Sequence, residues 1–288
     1  MNWEETIKYI RTKPEYRSLI ETAYFEEDLP LNVERFKSGS EFKETLSLIK
    51  KYSNGGKDIL DIGSGNGISA VAFALSGYNV MSVEPDPSET IGAGAIRRLR
   101  EFYNLHNLDV KEAFAEELKL PSESFDIVYA RQCMHHAYDL EKFLEELARI
   151  LKKGGTLITI RDHVVFDEKD KQWFLENHPL QKFYGGENAF SPNEYKQAMK
   201  KAGLDIKLEL KYYDSLINFF PLSQKDIEDL PATTEKKLKE SLHKKIGGFA
   251  NIPMVFKLYK RRAGFKDNRL PDEKQIPGRM YSYIAQKV

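Results

Sequence analysis

The chain of 288 residues has one cysteine, Cys133, so no disulfide within it can form, and a reducing compartment fits. It has no charge imbalance either. Lys+Arg and Asp+Glu are both 44, so nothing supplies the overall basic field expected of a nucleic-acid binder. Long apolar runs are missing: the charge-free stretch from Ile68 to Val83 is broken by Gly77 and Asn79 and is too short to span a bilayer. The first residues, MNWEETIKYIRTK, mix charges in a way no secretory leader does. No internal repeat, low-complexity tract or Cys/His cluster with metal-ligand spacing is present, and the histidines are scattered along the chain. These absences predict a cytoplasmic protein without a membrane or nucleic-acid partner and without a metal; the oligomeric state is left open.

What is present is enough for a proper core, with 41% hydrophobic and 12% aromatic residues. Between about residues 55 and 214, strand-like and helix-like runs alternate. The strand-like runs are 58–63, 78–84, 108–114, 125–131, 156–162 and 205–213. Helical runs lie between them at 67–76, at 88–103, at 140–153 behind the N-cap candidate Asp139, and after the capping box Ser191-Pro192-Asn193-Glu194. This alternation predicts an α/β fold: a Rossmann-like parallel sheet with helices on both faces. The ending RMYSYIAQKV reads as a last strand, antiparallel to the rest. The expected segments are a helical N-terminal cap (1–54), the core (55–214), a helical insertion or lid (215–277) and the final strand (278–288). The link 163–190 is long enough to be a second lid.

The first strand runs into ILDIGSGNGI, residues 59–68. Glycines after a strand let a ligand approach the backbone, and a dinucleotide pyrophosphate would want G-x-G-x-x-G/A. Here the third small residue is replaced by Ile68, and Asp61 at the strand end would repel a diphosphate. Glu84, about 20 residues past the glycines, is placed to accept from both hydroxyls of a ribose. A nucleoside carrying positive charge fits better, and S-adenosylmethionine has a ribose, an ammonium and a sulfonium.

The series DIGSGNG, VEPD, FAEELKLPSESFDIVYARQCMHHAYD and LARILKKGGTLI resembles, in order and spacing, the motifs of class I S-adenosylmethionine-dependent methyltransferases. Within that family it is most similar to the small-molecule group that includes quinone-type C-methyltransferases. The resemblance covers about residues 55–165. It implies that Asp61, Gly63, Ser64 and Gly65 form the cofactor loop, that Glu84 holds the ribose, and that Pro85 or Asp86 flanks the adenine. Ala115 and Glu116 would run along the adenine edge, with Arg131 and Gln132 beneath the sulfonium. Phe114 stands where the family commonly has an acid. Either it packs on the ring while Glu116 or a carbonyl takes over, or the adenine is held more loosely; taken alone, Phe114 reads as a core residue.

Transfer to a hydroxyl or an acidic carbon benefits from a base. The candidates are His135 and His136 after the fourth strand, either of which could instead only pack or cap, and His163 at the end of the fifth. Acceptor contacts are expected from Arg161 and from Tyr184, Glu187 and Asn188 in HPLQKFYGGENAF. The chain lacks the Asn/Asp-Pro-Pro-Tyr/Phe tetrapeptide of methyltransferases acting on nucleobase amines. The reading is therefore methyl transfer to O, N or C of a small polar molecule, such as a sugar derivative or hydroxylated ring. A non-catalytic S-adenosylmethionine-binding scaffold is the alternative.

Overall fold

The computed structural model describes residues 1–267 and 269–288. The chain divides into two compact units, Met1–Asn218 with Gly278–Val288, and Phe219–Pro277.

In the first unit, seven strands form one sheet. They are β1 (Asp58–Ile62), β2 (Asn79–Val83), β3 (Leu108–Lys111), β4 (Phe125–Arg131), β5 (Leu151–His163), β6 (Leu204–Leu210) and β7 (Met280–Lys287), in the order β3-β2-β1-β4-β5-β7-β6. β7 runs antiparallel to both neighbours, and the pairings from β3 across to β5 are parallel. Ile59, Leu60, Ile127, Val128, Leu157 and Ile158 are fully buried, as expected of central strands covered on both faces. The strand order reverses between β1 and β4, which opens a crevice at their carboxyl ends.

The N-terminal segment supplies α1 (Trp3–Arg11), α2 (Arg17–Thr22), α3 (Leu29–Ser38) and α4 (Ser40–Tyr52). These belong to the same compact unit as the sheet. The helix α5 (Ile68–Leu75) is apolar all round and buried along almost its whole length. Between β2 and β3, α6 covers Ala93–Phe102, five residues shorter at its start than the sequence pattern suggests. The reason is local. Asp86 accepts from the backbone amide of Ser88 through its side chain (2.8 Å) and from that of Ala93 through its carbonyl (2.7 Å), which holds 86–92 as a loop. In α7 (Leu140–Ile150) Asp139 caps the amide of Lys142, and Leu140, Phe143, Leu144 and Leu147 form the buried stripe. The chain then enters β5 directly, so the residues Leu151–Lys153, predicted helical, are strand. The link after β5 holds α8 (Glu168–Asn177) and α9 (Gln181–Tyr184), and α10 (Pro192–Lys201) starts on the Ser191/Glu194 capping box.

A short helix, α11 (Leu216–Phe219), leads to the second unit, which holds α12 (Gln224–Ile246) and α13 (Pro253–Arg262). Among the described residues no helix is long and apolar enough to cross a membrane.

Candidate active site

The main cavity, about 480 Å³, opens at the carboxyl ends of β1 to β5. Its cofactor half starts at the loop after β1. Gly63 has φ +61, and a Cβ there would come within 2.4 Å of Cys133 Sγ, so both the turn and the close approach require glycine. Gly67, with φ +83, has the close-packing role a dinucleotide site gives to a later glycine: a Cβ would meet Ile96 of α6 at 2.8 Å. The amides of Gly63 and Ser64 donate to the Val83 carbonyl (2.9 and 3.3 Å), tying the loop to β2. Asn66 donates to the Tyr24 carbonyl at 2.7 Å, tying it to the N-terminal helices.

Glu84 is buried on the cavity wall. Its Oε2 accepts from the Gly65 amide (2.8 Å) and its Oε1 from the Asp86 amide (3.1 Å). A carboxylate offers about four acceptor positions, so two remain for the hydroxyls of a ribose. Burial raises its pKa to about 7, against the pull of the two amides. Asp61 is different. It is buried beneath the loop and is not on the cavity wall; Ser69 Oγ donates to its Oδ2 at 2.7 Å. Burial raises Asp61 to about 7 as well. Ser64, Gly65, Pro85, Asp86, Ala115 and Glu116 all line the cavity.

Phe114 is not core. It is 69% exposed and lies on the cavity wall, because β3 ends at Lys111 and the chain leaves the sheet before reaching it. Its ring and the side chains of Pro85 and Ala115 give an apolar surface suited to a nucleobase. Glu116 accepts from the Tyr138 amide at 3.2 Å.

Arg131 and Gln132 line the cavity, but the arginine's charge is already matched. Its Nε and Nη2 donate to the two carboxylate oxygens of Glu41 on α4, and its Nη1 donates to Gln132 Oε1 (3.0 Å). Burial alone would raise the Glu41 pKa; Arg131 and Arg161 hold it below the usual carboxylate value. Arg161, expected as an acceptor contact, lies elsewhere. Its φ is +62, and it sits where the β5–β7 register shifts. It donates to the Ile217 carbonyl at 2.8 Å, lies 3.9 Å from Glu41, and does not line the cavity. Asn188 is also off the cavity wall, accepting instead from the amide of Ala189 at 2.9 Å.

The acceptor half holds four histidines. His135 is buried, its Nδ1 3.1 Å from Asp162 Oδ1, which also accepts the His135 backbone amide at 3.1 Å. His163 packs edge-on to the His135 ring at 4.9 Å. Burial pushes His135 well below the ordinary imidazole value and His163 down to about 3, so both are held neutral. His136 is the open one: its side chain is 38% exposed, with Nδ1 3.3 Å from the Gly186 carbonyl. His178 Nδ1 lies 3.4 Å from Glu187 Oε1. Tyr184 donates to that same oxygen at 2.7 Å, which, together with burial, raises the phenol's pKa. Four of the six histidines scattered in sequence are therefore together in space. The ligand atoms of His135, His136 and Glu187 lie within 4.8 Å of one another, a cluster that counting intervals along the chain could not find.

The sequence reading missed Glu41, and it missed the roof residues Trp3, Leu19, Phe25 and Leu180. The Trp3 and Tyr184 rings stand 4.7 Å apart, joining α1 to the 178–187 loop. An acid beside Phe42, on the apolar face of a predicted helix, was the one available signal for Glu41.

Residues 34–209, more than half of the chain, match the family described as a methyltransferase domain. The chain belongs to this family. It carries a class I methyltransferase domain, whose cofactor is S-adenosylmethionine. Curated relatives include the uncharacterized methyltransferase YcgJ of Bacillus subtilis, 33% identical over 36% of this chain and 40% of that protein. The ubiquinone/menaquinone C-methyltransferase UbiE of Vibrio vulnificus is 30% identical over 40% of this chain and 45% of that protein. The match thus spans less than half the length of these relatives. The YcgJ crystal structure superposes with a TM-score of 0.53 at 20% identity, covering 85% of this chain and 98% of that one. A geranyl diphosphate C-methyltransferase from Streptomyces coelicolor, with S-adenosyl-L-homocysteine among its ligands, gives 0.55 at 14%, covering 86% and 79%. Both likenesses concern the fold.

Proposed function

We propose that the protein transfers the methyl group of S-adenosylmethionine to an oxygen, nitrogen or carbon of a small polar molecule, a sugar derivative or hydroxylated ring. The observation that carries this reading is one cavity with two unlike halves. One half has a buried carboxylate with spare acceptor capacity beside an apolar wall (Glu84, Pro85, Phe114, Ala115). The other is a polar end made by His136, His178, Tyr184 and Glu187. A cavity of about 480 Å³ is of small-molecule size, which with zero net charge speaks against a nucleic-acid acceptor. The curated relatives include C-methylating and N-methylating enzymes by name, so the acceptor atom is argued from the site.

S-adenosylmethionine supplies a methyl on a sulfonium, a leaving group that needs no activation. The protein's contribution is then placement and the removal of water and a proton. Ser64, Gly65, Glu84, Pro85, Asp86, Phe114, Ala115 and Glu116 would hold the cofactor, and Asp61 would stiffen the loop from below. Of the three candidate bases, His135 and His163 are held neutral by burial, which opposes adding a proton there. His136 is left. The Gly186 carbonyl can only accept, so it fixes the proton on Nδ1, leaving Nε2 as the acceptor toward the cavity.

Calorimetric titration with S-adenosylhomocysteine tests the reading. Micromolar binding is expected, with reduced nicotinamide dinucleotide showing none. Glu84→Ala should weaken binding by about 1.5–3 kcal/mol, tenfold or more. Equal affinity in that variant would remove Glu84 from the site, and no binding at all would sink the cofactor half of the proposal.

A further inference from the structure

We propose that His135 Nε2, His136 Nε2 and Glu187 Oε2 form a site for one divalent transition-metal cation of the zinc, cobalt or iron type, at the acceptor end of the cavity. Glu187 Oε2 lies 3.8 Å from His135 Nε2 and 3.9 Å from His136 Nε2. Those separations are too long for hydrogen bonds, and this oxygen has no partner although its side chain is only 3% exposed. A buried carboxylate oxygen without a partner carries the full desolvation cost of an ionised group, so the arrangement asks for a ligand.

The hydrogen bonds behind the cluster say which ligand. The His136 proton is fixed on Nδ1 by the Gly186 carbonyl at 3.3 Å. Asp162 Oδ1, which already accepts the His135 backbone amide, is the acceptor for the His135 Nδ1 proton at 3.1 Å. Assigned this way from their partners, both rings turn Nε2 lone pairs toward Glu187 Oε2. Two lone pairs and a carboxylate oxygen facing one another repel; a cation between them satisfies all three. Asp162 behind His135 and Tyr184 behind Glu187 (2.7 Å) are the outer hydrogen bonds by which metal ligands are ordinarily oriented. Two donors each about 2.1 Å from a tetrahedral ion stand about 3.4 Å apart, about half an ångström less than each Glu187–histidine separation, and the three ligand atoms already lie within 4.8 Å of one another. Two imidazoles and one carboxylate favour zinc, cobalt or iron over the all-oxygen sites of calcium or magnesium.

All three residues line the cavity, so the coordination positions they leave open face the acceptor. On the methyl-transfer reading, those positions would take an acceptor hydroxyl or a chelating pair of oxygens. The cation would acidify that hydroxyl, and His136 would act as its ligand instead of as a base. Metal binding itself does not depend on that reading.

The test is equilibrium dialysis of chelator-stripped full-length protein against zinc, with cobalt substitution as a spectroscopic check. One tightly held zinc per chain is expected, with cobalt giving the absorption of a low-coordinate nitrogen and oxygen site. Glu187→Gln should weaken zinc binding at least 100-fold. His136→Ala should do so at least 10-fold, and because His136 is partly exposed this variant decides the matter if the buried Glu187 variant fails to fold. His106→Ala, at an exposed position away from the cavity, should leave the affinity unchanged. Equal zinc affinity in His136→Ala and wild type would overturn the site. So would nitrogen-15 spectra showing both Nε2 atoms protonated with zinc present. S-adenosylhomocysteine titration of the same samples separates the two ideas: cofactor binding without zinc defeats the metal alone, and zinc binding without cofactor defeats the transfer reading alone.

Discussion

The two halves of the cavity are built by different means. The cofactor half comes from strand ends and the turns that immediately follow them, so its residues are close in sequence to the elements that position them: Gly63–Gly65 after β1, Glu84 after β2, Arg131 at the end of β4 and Gln132 and Cys133 after it. The acceptor half is assembled from segments far apart in the chain. Trp3 comes from α1 and Phe25 from the turn between α2 and α3, His135 and His136 follow β4, and His178, Tyr184 and Glu187 come from the link after β5. A strand-end turn is fixed by backbone hydrogen bonds and steric demands that leave marks on residue type. A roof made of distant pieces is fixed by side chains meeting side chains, and many residue types would serve.

Behind the cavity wall at Arg131 lies the buried Glu41–Arg131–Arg161 group, and breaking it should give the largest effect. Glu41→Ala leaves two buried guanidinium groups without their counter-charge, and losing one partner of such a pair costs about 3–5 kcal/mol. Denaturant unfolding should show the midpoint falling with little change in slope. A cost below about 1 kcal/mol would mean that the guanidinium groups reach solvent in solution, contrary to their burial here. Next comes the loop itself. Gly63→Ala combines a left-handed backbone with a 2.4 Å approach to Cys133 Sγ and should cost roughly 2–4 kcal/mol. Gly65→Ala has a similar φ, +54, but open space around the new methyl, so only the backbone part of about 1–2 kcal/mol is expected. Comparing the two variants by thermal unfolding separates strain from crowding; equal losses would mean that Cys133 moves aside freely.

This division explains how much could be read in advance. The seven strands and the glycine loop were legible because period, caps and glycine positions are local, and Gly77, Asp139 and Ser191 end or start helices for local reasons. The place of Glu84 at the end of β2, on the cavity wall, was legible from its spacing. Arg161 and Asn188, expected at the acceptor, lie off the cavity wall: Arg161, at a positive φ, bonds to the Ile217 carbonyl and Asn188 to its own neighbour. Phe114 was misread as core because its type says burial, while its place after a short β3 exposes it. The Glu187 cluster had no one-dimensional signal, because 51 positions separate it from His136. Only folding joins them.

The gentlest way to sharpen the comparison is pH, since the cofactor half holds two carboxyls, Glu84 and Asp61, raised to about 7 by burial. The folded apo protein holds these protons more tightly than the unfolded chain does. Between the ordinary carboxylate range and about pH 7, each group therefore lowers apo stability as pH rises, with no further loss above. Binding should run the other way. With two amides already bound, the ionised Glu84 has more acceptor capacity for the hydroxyls of a ribose than the protonated form, so cofactor affinity should increase as pH rises through about 7 and level off above it. Below the midpoint the limiting slope is about 1.4 kcal/mol, or tenfold, per pH unit. Titrations with S-adenosylhomocysteine from pH 5.5 to 8.5, repeated in buffers of different ionisation enthalpy, should show about one proton released per cofactor bound near pH 6. Glu84→Gln should bind more weakly at high pH and lose most of that slope. A slope that survives in this variant would assign the titration to Asp61 beneath the loop, making the loop's support, and not its ribose contact, the pH-sensitive part of the cofactor half.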